Sequence, residues 1–142
     1  MQITRQADYA LRAMLYLARP DTDKPIATRK IAEEQEIPAS FLAKIISQLS
    51  IAGLIETSRG ANGGVKLKRQ PEEISLLEVI EAIDGPITIE ECTVDPSSCV
   101  FGDQCPIHDV FTEARKEIVR KFSESTFDKL LEREQAKAQN QS

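Results

Sequence analysis

A mainly α fold with a small β-hairpin is predicted by three features of the chain. Apolar residues recur at three- and four-residue steps in several short segments; a glycine-rich stretch of alternating polarity interrupts them once; and the helical period resumes after residue 105. With 142 residues the chain is sized for one domain, or for one domain plus an appendage.

The first helix is expected from about Ile3 to Ala18, where Ile3, Ala7, Ala10, Leu11, Met14, Leu17 and Ala18 form one stripe before "RPDTDKP" breaks the pattern. A second helix starts near Thr28, its N-cap candidate, and turns Ile31 and Ala32 inward until "EIPAS" makes a tight turn. The third begins near Ser40. Leu42, Ile45, Ile46 and Leu49 are its buried stripe, Ser40, Ala43, Lys44 and Ser47 lie on the opposite face, and Gly53 closes it. In "LIETSRGANGGVKLKR" two short alternations, Leu54 to Thr57 and Val65 to Lys68, flank a turn containing Asn62-Gly63, which reads as a hairpin. Three short helices followed directly by a basic hairpin describe a winged helix-turn-helix domain over residues 1–70.

The charge distribution agrees with a nucleic-acid partner for that half. The chain carries a net charge of -5, but residues 1–70 hold 11 Lys and Arg against 7 Asp and Glu, a net +4, and residues 71–142 hold 7 against 16, a net -9. The expected partner is double-stranded promoter DNA. Ser40, Ala43, Lys44 and Ser47 are the candidates for reading base edges in the major groove, with Lys44 suited to guanine O6 and N7. Arg59 is placed to enter a narrow minor groove, Gly60, Gly63 and Gly64 let backbone approach phosphate, and Lys66 or Arg69 supplies phosphate contacts.

Beyond residue 70 a linking helix is expected within 71–90. Its segment "SLLEVIEAIDG" brings Leu76, Leu77, Val79, Ile80 and Ile83 together and ends at Gly85-Pro86. Helices spanning 106–134 follow a loop. The first carries Val110, Phe111, Ala114, Ile118 and Phe122, and a shorter one in "STFDKLLERE" is capped by Ser125 or Thr126. These long C-terminal helices lack a further layer in the chain to cover them, so a symmetric homodimer is expected to do it. The polar residues 135–142 are expected to form a disordered tail.

The loop 91–108, "ECTVDPSSCVFGDQCPIH", contains all three cysteines and the single histidine. An odd count argues against a disulfide framework. Met1 runs straight into a polar, helix-like segment without a signal peptide, and no apolar run is long enough to cross a bilayer, so a cytoplasmic protein with reduced thiols is expected, with no membrane partner. Six residues separate Cys92 from Cys99, five separate Cys99 from Cys105, and two separate Cys105 from His108. Pro106 suits the first position of a helix capped by Cys105, so Cys105 and His108 rise from one turn. Three thiolates and an imidazole can hold zinc, or an iron-sulfur cluster in which histidine replaces one cysteine. The wide cysteine gaps tilt the reading towards a cluster. A thiol enzyme is poorly supported, because there is no close cysteine pair and no evident oxyanion donor, so the chain is read as a non-enzyme.

From Met1 to about Glu132, "ADYALRAMLYLA", "IPASFLAKIISQLSIAGLI", the wing "SRGANGGVKL", "EVIEAIDG" and the three cysteines in order resemble the Rrf2 (Rrf-two) family of bacterial transcription regulators. The resemblance implies a homodimer of winged helix-turn-helix domains with crossed C-terminal helices and one iron-sulfur cluster per subunit, held by Cys92, Cys99 and Cys105. In the IscR-like branch, which the chain resembles most, a histidine three residues after the last cysteine completes a 2Fe-2S site, and His108 stands there. In some NsrR-like members an aspartate on the first helix of the partner subunit completes a 4Fe-4S site, and Asp8 stands there. The 2Fe-2S centre with His108 is favoured, because His108 lies one helical turn from Cys105. The expected function is a dimeric repressor sensing cluster status, iron or redox state. The alternatives are an NsrR-like nitric-oxide sensor using Asp8 and a zinc-stabilised DNA-binding module without sensing. Ala43 and Lys44 stand where IscR-like proteins can carry glutamate and glutamine, so the resemblance does not carry an operator sequence over to this chain, and the gap of six between the first two cysteines is one longer than usual.

Overall fold

The computed structural model describes residues 1–20 and 24–141, so part of the "RPDTDKP" break and the final Ser142 lie outside the described residues. Three helices, α1 (Arg5–Leu17), α2 (Thr28–Glu34) and α3 (Ala39–Ile51), lead into a two-stranded antiparallel sheet of β1 (Ile55–Ser58) and β2 (Gly64–Leu67). Thr4 caps α1, its hydroxyl accepting from the Ala7 amide at 3.1 Å, and Ala7, Ala10, Met14 and Leu17 of the expected stripe are buried. Leu42, Ile45 and Leu49 of α3 pack in the same core, with Ile46 partly buried beside them.

The turn between α2 and α3 depends on Glu36, which takes a left-handed φ of 52°. Buried Ile37 anchors this turn, its amide donating to the Ala32 carbonyl at 2.9 Å. The hairpin pairs Ile55 with Leu67 and Ser58 with Gly64, so each strand differs by one residue from its expected range. Leu54 leaves the strand because its amide donates to the Leu49 carbonyl at 3.0 Å, which closes α3 and buries the side chain. On the far edge of β2, Ile26 and Val65 exchange two backbone bonds of 2.9 and 2.8 Å, which tie the wing to the entry of α2.

Helix α4 (Leu76–Asp84) starts at Ser75, whose hydroxyl accepts from the Glu78 amide; it packs against α1 and buries Val79 and Ile80. Three 3-10 turns, Glu91–Thr93, Pro96–Ser98 and Gly102–Gln104, carry the chain to α5 (Pro106–Glu124), which contains no buried residue in its 19.

The last helix, α6 (Phe127–Asn140), differs from expectation in two ways. It runs through the segment expected as a disordered tail, because Gln, Ala and Lys sustain a helix once its start is anchored. It also needs no partner to cover its apolar start. Phe127, 1% exposed, inserts into the core with Leu130 and Leu131 packed behind it, and its amide donates to the Ile74 carbonyl at 3.1 Å. Burying that ring stabilises the fold by roughly 1.5–3 kcal/mol. No described helix is long and apolar enough to cross a membrane.

Candidate nucleic-acid interface and thiol lobe

On α3 the buried stripe leaves Ser40, Ala43, Lys44 and Ser47 together on the exposed side. Arg59 and Gly60 stand exposed at the hairpin tip, with Gly60 at φ 101°. Gly63 and Gly64 have a packing role that the hairpin pattern alone does not reveal. A Cβ on Gly63 would lie 2.4 Å from the Ser58 carbonyl oxygen, and one on Gly64 would lie 2.3 Å from that of Ile26. Only glycine lets the tip fold back on itself and β2 approach Ile26.

Two basic side chains at the wing, Lys66 and Arg69, are already partnered. Lys66 reaches its cross-strand neighbour Glu56 at 3.2 Å, and Arg69 donates to Glu78 at 2.7 and 3.2 Å and to the Glu73 carbonyl at 2.6 Å. The Glu78 hydrogen bond pushes the Arg69 pKa further up, so its charge is held in place within the domain. Of the two phosphate-contact candidates, Lys66 sits on the wing with one exposed ion pair to exchange, whereas Arg69 is a strut between the wing and α4. Register predicts the Lys66–Glu56 pair once the strands are known; Glu78 approaches Arg69 only through tertiary folding. Phe41, 41% exposed on α3 and 6.0 Å from the Tyr9 ring, was not singled out by periodicity because it falls outside the stripe.

The thiol lobe is built from the three 3-10 turns packed on one another and on the start of α5. Cys105 is the N-cap of α5 and Pro106 its first residue, as the sequence predicts. All three cysteines are unpaired; Cys99 is exposed, Cys92 and Cys105 half-buried. Loss of hydration pushes the Cys92 thiol above its ordinary pKa, and neighbouring groups including Glu90 push it the same way. His108 holds Thr112 through Nε2 at 3.3 Å, while its Nδ1 is buried with no hydrogen-bond partner among the described residues. A buried ring nitrogen without a partner is costly in a purely structural histidine. Three reduced thiols and an imidazole nitrogen held on one lobe fit a soft metal centre by donor chemistry. Among the described residues, no three His, Cys, Asp or Glu side chains stand in a closed metal-binding array, so the sulfurs share a lobe without converging on a point. Asp8 is exposed on α1 and bound to Arg12 at 3.1 Å.

Residues 3–133 match a family model described as Rrf2, iron-dependent transcriptional regulator. The chain is similar to the HTH-type transcriptional regulator NsrR of Halalkalibacterium halodurans, with 33% identity over 135 residues covering 94% of this chain and 92% of that one. It is also similar to the HTH-type transcriptional regulator IscR of Pectobacterium atrosepticum, with 31% identity over 131 residues covering 92% and 79%. Its fold matches the structure of CymR, the global cysteine regulator of Bacillus subtilis, with a TM-score of 0.78 and 26% identity over 92% of this chain and 95% of that one.

Proposed function

The chain belongs to the Rrf2 family of transcriptional regulators, and from that premise we propose that it is a dimeric repressor whose operator affinity is set by an iron-sulfur cluster on the thiol lobe. Ser40, Ala43, Lys44 and Ser47 read base edges from α3, Arg59 enters the minor groove, the Gly60, Gly63 and Gly64 backbone follows phosphate, and Lys66 exchanges Glu56 for a phosphate. Cys92, Cys99 and Cys105 supply thiolates, and His108 supplies the fourth donor. When bound, the cluster provides a centre whose charge and integrity respond to redox state, iron supply or nitric oxide.

The observation that carries this reading is the buried, unpartnered Nδ1 of His108, at the start of the helix that Cys105 caps. It favours a 2Fe-2S centre completed by His108. The similarity to NsrR supports a second reading, a 4Fe-4S centre completed by Asp8 of the partner subunit; for that, Asp8 must release Arg12. A dimer is supported by α5. Ile107 and Val110 are each 61% exposed, and Phe111, Ile118 and Phe122 are only half-buried, so the helix presents an apolar face that a second copy would cover.

The test is the visible spectrum with iron and sulfide counts of anaerobically purified protein and of Cys99→Ala, Cys105→Ala, His108→Ala and Asp8→Ala. The cysteine variants are expected to be colourless and to lose cluster-dependent operator binding. Loss of colour with His108→Ala but not Asp8→Ala supports the 2Fe-2S reading, and the reverse supports the 4Fe-4S reading. Zinc with no visible absorption in the unaltered protein would sink both, leaving a zinc-stabilised DNA-binding module.

A further inference from the structure

We propose that Arg115 is a positioning residue that couples the thiol lobe to the N-terminus of α1, and through α1 to the recognition helix α3. This rests on the cluster-sensing reading above for the signal, but the coupling itself stands on contacts. Arg115 lies on α5, the helix that begins at Cys105 and carries His108. Its Nε donates at 2.7 Å to the carbonyl of Ile87, a buried residue that holds this stretch of backbone in place. Three residues earlier, Asp84 ends α4 and accepts from Thr4 twice, from the amide at 3.2 Å and from the hydroxyl at 2.5 Å. Thr4 is the N-cap of α1: its hydroxyl accepts from the Ala7 amide and its carbonyl accepts from the Asp8 amide at 3.0 Å. From there α1 packs directly on α3, with the Tyr9 ring tilted against Phe41.

Between the two anchors lie only Gly85, at φ 81°, and Pro86. Two residues leave little slack, so a shift of α5 that pulls the Ile87 carbonyl moves Asp84 and strains the cap of α1. Arg115 lies ten residues after Cys105, on the helix that Cys105 caps, and touches no DNA-facing residue in the contacts above. Its task is to convert a movement of the cysteine helix into one of the winged domain, which two helices merely lying side by side would transmit less directly.

The experiment measures residue-resolved amide exchange of the iron-free full chain, in the unaltered protein and in Arg115→Gln, Arg115→Lys, Asp84→Asn and, as an α5 control, Arg120→Gln. Among the described residues, Arg120 forms ion pairs only with Glu117 and Glu124 of its own helix, at 3.3 and 3.2 Å. Arg115→Gln and Asp84→Asn are expected to speed exchange at Ala7 and Asp8 at least threefold, with Met14 and Leu17 unchanged, with rescue in Arg115→Lys and no effect in Arg120→Gln. Unchanged exchange at Ala7 and Asp8 in Arg115→Gln overturns the coupling. In iron-loaded protein, the ratio of iron-loaded to iron-free operator affinity is expected to fall to within twofold of one in Arg115→Gln and Asp84→Asn, with iron and sulfide contents unaltered. An unchanged ratio at normal iron content also overturns the proposal. If the unaltered chain takes up no iron, the sensing reading fails and the exchange result alone decides the coupling.

Discussion

Replacing Gly64 with alanine should separate the wing from the helix-turn-helix, and its cost can be worked from local distances. The new Cβ would stand 2.3 Å from the Ile26 carbonyl oxygen and 2.8 Å from the Ala27 nitrogen, where ordinary contact begins at 3.4 Å. Strand β2 must therefore retreat by about 1 Å, which stretches both Ile26–Val65 hydrogen bonds, now 2.9 and 2.8 Å, beyond useful length. Losing them costs about 1 kcal/mol each. The positive φ of 153° adds about 1–2 kcal/mol for any residue with a side chain. The total of roughly 3–4 kcal/mol corresponds to a fall in Tm of about 10 °C for a chain of this size. Because Arg59 is carried by the displaced hairpin, operator affinity should fall about tenfold as well, the equivalent of one lost base contact. Circular dichroism melting and fluorescence anisotropy with a promoter duplex measure the two effects. Gly60→Ala is the control: it has a positive φ of 101° but no atom within 4 Å of the new Cβ, so it should lose only about 1 kcal/mol. Equal melting temperatures for the two variants would refute the argument that backbone contact with Ile26 requires glycine at 64.

Two further outcomes follow from the same geometry. Lys44→Ala should weaken operator binding about 5- to 150-fold and relax discrimination at one base pair, because Lys44 is exposed on the outer face of α3; equal losses on operator and random duplex in competition binding would reduce it to a phosphate contact. At the start of α6 the Thr126 hydroxyl donates to Asp128 and, with backbone amides, holds that carboxyl below its ordinary pKa. A depressed folded pKa stabilises the fold above the unfolded value of about 3.9 and loses that contribution as pH falls through the folded value. The melting temperatures of the unaltered chain and Asp128→Asn should therefore differ at neutral pH and converge as pH is lowered below about 3.9; a gap that stays constant with pH contradicts this role.

Much of the fold was legible because its causes are local. Apolar spacing identified α1 to α5, and the outward face of α3 followed from its inward one, so Ser40, Ala43, Lys44 and Ser47 are exposed as expected. Pro106 and Cys105 placed the start of α5 correctly because a cap and a first-turn proline depend on adjacent residues only. The strand boundaries shifted by one because Leu54 had two uses, and closing α3 against Leu49 prevailed over extending the hairpin. The end of α6 was misread because a polar helix with one anchored end looks like a tail when the anchor, Phe127, cannot be seen.

The sequence by itself determined the order of the elements, the exposed face of α3 and the concentration of every thiol and the imidazole on one lobe, since periodicity, caps and turn chemistry act over a few residues. Only the tertiary structure decided which charges are already spoken for and which distant segments touch: Arg69 with Glu78, Thr4 with Asp84 across 80 residues, Arg115 with the Ile87 carbonyl across 28. Such contacts depend on where whole helices pack, and packing is set by the complete core rather than by any local pattern.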